Sequence, residues 1–158
     1  AELEVSRGAT PRLKALLADP KVLKIFHYGR FDIAVMKHHL GVDTQPVYCT
    51  KIASKLARTY TDRHGLKDLV KELIGVDLSK ASQSSDWAAE TLSRDQMDYA
   101  ASDVLHLHKV KAILDAMLAR EGRTELAARC FDFLPTRAAL DLAGWAGDGE
   151  GERDLFAH

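Results

Sequence analysis

Apolar and polar positions alternate between strand-like and helix-like spacing in the first half of the chain. The apolar run 22–26 lies between turn residues and predicts a buried strand, and 47–49 predicts a second one. Residues 3–6 alternate apolar and polar side chains and predict a third, short strand. Helical spacing predicts four helices among these strands: from Pro11 to the stop at Asp19-Pro20, from Gly29 to Gly41, over 51–60, and over 65–73 before Gly75. This order indicates an α/β fold.

The second half of the pattern is helical. Ser93 and Gln96 form a capping box in front of a long predicted helix, 94–120, which Gly122 ends. Proline lacks a backbone N–H, so Pro135 predicts a break between two shorter helices. These two helices cover 125–133 and 137–142.

The remaining segments are polar. Residues 80–85 predict a loop, and the glycine-rich, acidic residues 147–154 predict a flexible tail. No linker divides the chain, and 158 residues suffice for one domain with a hydrophobic core.

Charge and cysteine content narrow the class of protein. The chain has 22 basic and 23 acidic residues, which excludes a broadly cationic nucleic-acid coat protein but leaves room for a local basic groove. Cys49 and Cys130 lack CxxC spacing, so neither a zinc ribbon nor a disulfide scaffold is supported. No apolar run is long enough to span a membrane, and no secretory signal opens the chain. We therefore expect a cytoplasmic protein with no membrane partner.

Two places in the pattern offer acidic chemistry. Asp32 follows a buried strand in the first turn of a helix, where a carboxylate either stabilises the helix N-terminus or serves a site at the carboxyl end of the sheet. Tyr99 and Asp103 are four residues apart, so they share one helix face; a surface hydrogen bond is the alternative. Carboxylates without paired cysteine or histidine favour Mg²⁺ or Mn²⁺ over zinc.

The other polar residues leave alternatives open. We interpret His106, three residues after Asp103, as a partly exposed helical histidine. His38, His39 and His64 have no companion at metal-ligand spacing and are expected at the surface. The basic stretch 51–71 is either a solvated helical surface or a local phosphate-binding face.

Five segments, in order, resemble ribonuclease D-like 3′–5′ exonucleases, the tyrosine-type subclass of the four-carboxylate exonucleases. Residues 27–32 (HYGRFD) resemble the second exonuclease motif, and residues 99–104 (YAASDV) resemble the third. Residues 83–87 (QSSDW), 64–69 (HGLKDL) and 75–80 (GVDLSK) are also similar to family segments. The resemblance covers most of the chain, from about Leu13 to Arg120.

The resemblance implies a ribonuclease H-like α/β fold, with a mixed sheet flanked by helices. It implies hydrolysis of RNA from a free 3′ end to 5′-mononucleotides, as in the processing of tRNA and other structured RNA, with two divalent ions, Mg²⁺ or Mn²⁺. Asp103 is then a direct metal ligand, Asp32 acts at the second metal, and Tyr99 orients the attacking water. The residues expected to bind substrate are His27, Tyr28, Arg30, Phe31 and Trp87; Trp87 is alternatively a core residue.

The chain departs from the family pattern in three ways. The first motif, Asp-x-Glu on a strand, is absent, so we expect an N-terminally incomplete exonuclease domain over 1–143 and a glycine-rich acidic tail over 144–158. Many members have Asn where this chain has Tyr28. We also expect no C-terminal helical RNA-binding domain of the kind that longer members have. An inactive RNA-binding or assembly module of the same fold and a DNA-directed exonuclease are the alternatives, and the sequence does not determine the oligomeric state.

Overall fold

The computed structural model describes residues 10–78, 94–146 and 155–156, without the side chains of 10 and 94–104. Six α-helices, two strands and a final turn of π-helix make up the described chain. In order they are α1 (Thr10–Ala18), β1 (Lys24–Phe26), α2 (Gly29–Leu40), β2 (Val47–Cys49), α3 (Thr50–Ala57), α4 (Leu66–Ile74), α5 (Arg94–Arg120), α6 (Thr124–Leu140) and the π-turn (Asp141–Trp145).

The two strands form a parallel pair with α2 as the crossover between them. Lys24 pairs with Val47 and Phe26 with Cys49. Parallel neighbours need such a crossover, because a tight hairpin joins only antiparallel strands. Gly29 lets α2 begin close to the strands: a Cβ there would lie 3.2 Å from the Phe26 Cβ. Both strands therefore deliver their carboxyl ends to the start of α2 and α3.

Two of the three predicted strands are confirmed, and one of these is shorter than expected. β2 covers 47–49 as predicted, whereas β1 begins at Lys24 instead of residue 22. The Val22 N–H closes a turn by donating to the Asp19 carbonyl at 3.2 Å, so the chain becomes extended only after that turn. The described pair is parallel; the predicted strand 3–6 lies outside the described residues.

Glycines end two helices as predicted. Gly41 (φ 66°) and Gly75 (φ 70°) adopt the left-handed conformation, and their N–H groups bond to carbonyls of the last helical turn. The helix expected over 51–60 instead ends at Ala57. The buried Arg58 side chain pairs with Glu72 and donates to the Arg63 carbonyl, which turns the chain away from the helix axis.

The break expected at Pro135 is wrong, because α6 runs from 124 to 140 without interruption. Phe131, Leu134 and Ala138 lie on both sides of the proline and are buried on one face, which packs against α2 and β2. Burial of this face stabilises the helix more than one missing hydrogen bond destabilises it. The helix expected over 94–120 has those limits in the structure.

The core lies between the sheet and the C-terminal helices. Helix α5 contributes Val110, Leu114 and Leu118, and α4 contributes Leu69 and Val70, all at most 1% exposed. Helices α3 and α4 pack against α5, while α6 packs against α2 and β2. The fold is thus α/β with helices around the sheet, as predicted. The described residues contain one parallel pair of strands, so the mixed sheet that the resemblance implies stays a prediction.

Several predicted features lie outside the described residues: the loop 80–85, Ser93, Trp87 and the tail 147–154. Of the described helices, none is both long enough and apolar enough to cross a membrane.

Candidate active site

Asp32 lies where the sequence places it, in the first turn of α2 just beyond the carboxyl end of β1. Its side chain is half-buried, and this burial raises the pKa of the carboxyl to about 6. Among the described residues, no cation pairs with it. A carboxylate that is desolvated without a positive partner is costly for the protein, and a bound cation would remove that cost.

Tyr99 and Asp103 lie one turn apart in the N-terminal half of α5. Their side chains are outside the described part, so their predicted meeting with Asp32 stays a prediction. The backbone arrangement is compatible with it, because α5 packs against β1, the strand that leads to Asp32.

The donor chemistry suits hard cations, although the described side chains do not form a complete metal site. In the described ranges no group of three or more His, Cys, Asp or Glu side chains comes together. Asp32 supplies oxygen donors, as Mg²⁺ and Mn²⁺ prefer. Asp103 is the further ligand that the sequence predicts.

His27 lies between the two strand ends. Its Nδ1 is 2.9 Å from the Thr50 Oγ1. Burial, reinforced by the positive charge of Lys51, lowers the pKa of His27 to about 4, against a hydrogen bond with the His64 backbone that raises it. The imidazole is therefore neutral at pH 7.

Tyr28 holds a backbone conformation that is rare for its residue type. Its φ of 62° and ψ of 50° lie in the left-handed region, which asparagine tolerates better than other non-glycine residues. The Tyr28 ring stacks on Phe31 at 6.4 Å, and both rings are exposed, at 46% and 60%. They offer a surface on which a nucleic-acid base can stack.

The Arg30 side chain contacts the π-turn that follows α6. Its Nε and Nη2 donate to the Asp141 carboxylate at 2.5 and 2.7 Å, and Nη2 also donates to the Ala146 carbonyl at 2.7 Å. This bidentate pair fixes the π-turn onto the start of α2. The predicted contact of Arg30 with substrate is not tested by these bonds.

The histidine predictions are mostly confirmed. His38 and His39 are exposed and His106 is partly exposed, as expected, but the His106 Nδ1 is buried and has no hydrogen-bond partner among the described residues. The surface assignment of His64 is wrong: it is half-buried, and its Nδ1 lies 2.8 Å from the buried Ser54 Oγ. The spacing of histidines along the sequence tests only for metal ligands, so it could not reveal that the loop after α3 folds back onto that helix.

The basic stretch divides into cations that pair with carboxylates and cations for which the described residues offer no carboxylate partner. Arg58 and Lys71 are engaged by Glu72 and Asp77, which makes them structural. Lys51 and Lys55 instead line a cavity between α2, α3 and α6 that sequence reasoning missed. The four-residue spacing of Lys51 and Lys55 was the only hint of this cavity that we find in the sequence. Its third wall comes from α6, which is remote from the lysines in sequence. Cys49 and Cys130 are free, as expected.

Comparison with known proteins identifies the class. Residues 2–119 match the family model described as 3′–5′ exonuclease. This is most of the chain, so the protein belongs to the 3′–5′ exonuclease family, and the predicted resemblance is confirmed.

Several of the similar proteins are bacterial nucleases. The chain is 43% identical over 108 residues to ribonuclease D of Granulibacter bethesdensis, a match covering 68% of this chain and 27% of that protein. The structure of Brucella melitensis NrnC bound to pGG is 61% identical, with a TM-score of 0.82 over 94% of this chain and 69% of that one. Escherichia coli RNase D is 30% identical, with a TM-score of 0.72 over 81% of this chain and 34% of that one. This likeness confirms the ribonuclease H-like exonuclease fold. The chain spans about a quarter of the curated relative's length.

Proposed function

We propose that the protein is a metal-dependent 3′–5′ exoribonuclease that releases 5′-mononucleotides from RNA 3′ ends. The observation that carries this proposal is the half-buried Asp32 carboxyl at the carboxyl end of β1, within the family match; no cation from the described part of the chain pairs with it. In the reaction, a water oxygen attacks the terminal phosphorus, the bond from phosphorus to the 3′ oxygen breaks, and that oxygen takes up a proton.

Asp32 and Asp103 hold the divalent ions in this proposal, Asp103 directly and Asp32 directly or through water. When bound, such ions supply Lewis-acid chemistry that activates water and stabilises charge on the leaving oxygen. Support comes from a Brucella melitensis NrnC structure with bound Mg²⁺, to which the chain is 59% identical. Two ions, and Mn²⁺ as a substitute for Mg²⁺, belong to the proposal.

The chain's own side chains position the substrate and the water. Tyr99, one turn before Asp103, orients the attacking water. Tyr28 and Phe31 stack on the terminal base, beside the helix turn that carries Asp32. His27 is neutral at pH 7 and binds substrate by hydrogen bonding rather than by charge.

RNA with a free 3′ end is the proposed partner. NrnC has been solved with pGG, and the E. coli RNase D structure is described as that of an exoribonuclease involved in structured RNA processing. We assign residues 1–143 to the exonuclease domain and 144–158 to a tail, and we place the protein in the cytoplasm.

The test is a 3′-shortening assay with the full-length protein and a 5′-labelled RNA, in Mg²⁺, Mn²⁺ or EDTA. We expect stepwise shortening that needs a divalent ion and is lost in Asp103→Ala. Asp62→Asn, a change at an exposed loop carboxylate, is the control that keeps activity. The proposal fails if no shortening occurs, or if shortening survives Asp103→Ala or EDTA. RNA binding without shortening would instead identify the inactive RNA-binding module.

A further inference from the structure

A row of hydrogen bonds connects His27, at the proposed cleavage site, with the loop between α3 and α4. We propose that His64, in this loop, is a positioning residue. Through Ser54 and its own main chain, it holds the His27 imidazole in the orientation that binds the RNA 3′ end. This inference rests on the proposed function, because it concerns the histidine that binds substrate there. His64 itself does not contact the substrate.

The two histidines are anchored side by side on one face of α3. Thr50 and Ser54 are four residues apart, so their hydroxyls project from successive turns of this helix, and both residues are fully buried. The His27 Nδ1 lies 2.9 Å from the Thr50 Oγ1, and the His64 Nδ1 lies 2.8 Å from the Ser54 Oγ. Since one helical turn rises about 5.4 Å, these anchors place His27 and His64 next to each other.

A second contact makes the orientation of the His27 imidazole depend on the loop. The His27 ring forms a hydrogen bond with the backbone of His64. This bond favours the protonated ring, so the ring donates and the His64 carbonyl accepts. A ring with one partner can turn about that single bond, whereas partners on α3 and on the loop fix its plane. Displacement of the His64 backbone would therefore turn His27.

Buried polar contacts, rather than apolar packing, hold the loop. Arg58, at its start, is 2% exposed, and its Nη1 donates to the Ser54 Oγ at 2.9 Å and to the Arg63 carbonyl at 2.8 Å. The same guanidinium pairs with Glu72 of α4. No residue of the loop belongs to the hydrophobic core. Loss of the bond between His64 and Ser54 would therefore release the end of the loop that carries the His64 carbonyl.

The first test is a double-mutant cycle on 3′-shortening by the full-length protein, with a 5′-labelled RNA and Mg²⁺. We expect His64→Ala and His27→Ala each to slow shortening at least about tenfold, because the substrate is then poorly oriented. Since His64 acts through His27, His64→Ala should slow the His27→Ala variant by less than about twofold.

Two further variants separate the bond to Ser54 from a general loss of structure. His64→Asn keeps a polar group that can bond to the Ser54 hydroxyl, so it should restore most of the rate. His39→Ala, at an exposed histidine of α2, is the matched control and should keep the wild-type rate. Circular dichroism checks that each variant is folded.

The second test observes His27 without metal or cleavage. In the metal-free, ¹⁵N-labelled protein, the NMR signals of the His27 ring nitrogens report their hydrogen bonds. We expect these signals to shift in His64→Ala and in Ser54→Ala, and to stay in place in His39→Ala.

Three results would overturn the proposal: unchanged His27 signals in His64→Ala, rate effects of His64→Ala and His27→Ala that multiply, or a His64→Asn rate as low as that of His64→Ala. Absence of shortening by the wild type would instead overturn the proposed function. The ring signals would still decide whether His64 positions His27.

Discussion

Asp32 and Asp141 are both partly buried carboxylates close to the N-terminal end of α2, and they have opposite surroundings. Asp141 lies between Arg30 and Arg137, which stabilise its charge and anchor the π-turn. Asp32 has no cation among the described residues, and burial raises its pKa to about 6. The carboxylate whose charge the fold already compensates is structural. The one left uncompensated is the one suited to bind a metal ion.

The largest expected effect is on the rate of 3′-shortening, and it concerns Asp32. Asp32→Asn removes the charge that holds the ion, and we expect at least about a hundredfold slower 3′-shortening. The folded state should persist, as measured by circular dichroism. Asp62→Asn is the matched control. Equal rates for Asp32→Asn and Asp62→Asn would break the comparison.

The second effect is on stability and belongs to Asp141. Asp141→Ala removes the carboxylate that Arg30 and Arg137 share, and we expect the free energy of unfolding to fall by about 2 kcal/mol in urea titrations. Asp43→Ala removes an exposed pair with Lys37 and should cost less than about 0.5 kcal/mol. Equal losses in the two variants would show that the Asp141 cluster is not an anchor.

The third effect is a pH dependence of the metal-free protein. The pKa of Asp32 rises on folding from 3.8 to about 6. Between these pH values the folded state binds the proton more tightly, so stability from this group is present at about pH 4 and is lost as the pH rises to 6. Since Asp32 is partly exposed, we expect a loss of about 1–2 kcal/mol. Urea unfolding at several pH values checks it. The wild type and Asp32→Asn should diverge over this interval, and parallel curves would refute the shift.

The smallest effect concerns His27. Lys51→Ala removes the second cause of its lowered pKa, so NMR titration should show a pKa moderately above 4. Burial is the larger cause, so the pKa should stay below the ordinary value of 6.5. Lys67→Ala should leave it in place. A return to the ordinary value would mean that His27 is not buried.

Local patterns predicted the elements that depend on local chemistry. Strand 47–49 and helix 94–120 have the expected bounds, and Gly41 and Gly75 end their helices because left-handed backbone suits glycine. Where tertiary contacts decide, the local pattern misled. Arg58 ends α3 by pairing with Glu72, and burial against α2 keeps α6 continuous through Pro135.

The candidate site also has features that the local sequence predicts and features that depend on contacts between distant residues. The position of Asp32 after a strand was readable from sequence, and so were Tyr99 and Asp103 on one helix. The Arg30–Asp141 pair joins residues 111 positions apart, and no local pattern predicts it. The cavity between α2, α3 and α6 could not be predicted either, because α6 is distant in sequence from the other two walls. The predicted roles of the site residues stay predictions.

The most direct test of the central claim is a crystal structure of the full-length protein with Mn²⁺, using anomalous scattering to locate the ions. We expect Mn²⁺ bound to Asp103 and contacted by Asp32 directly or through water, with the Tyr99 hydroxyl facing the ions. Carboxyl groups of Asp32 and Asp103 on separate surfaces, or Mn²⁺ bound only elsewhere, would contradict the account.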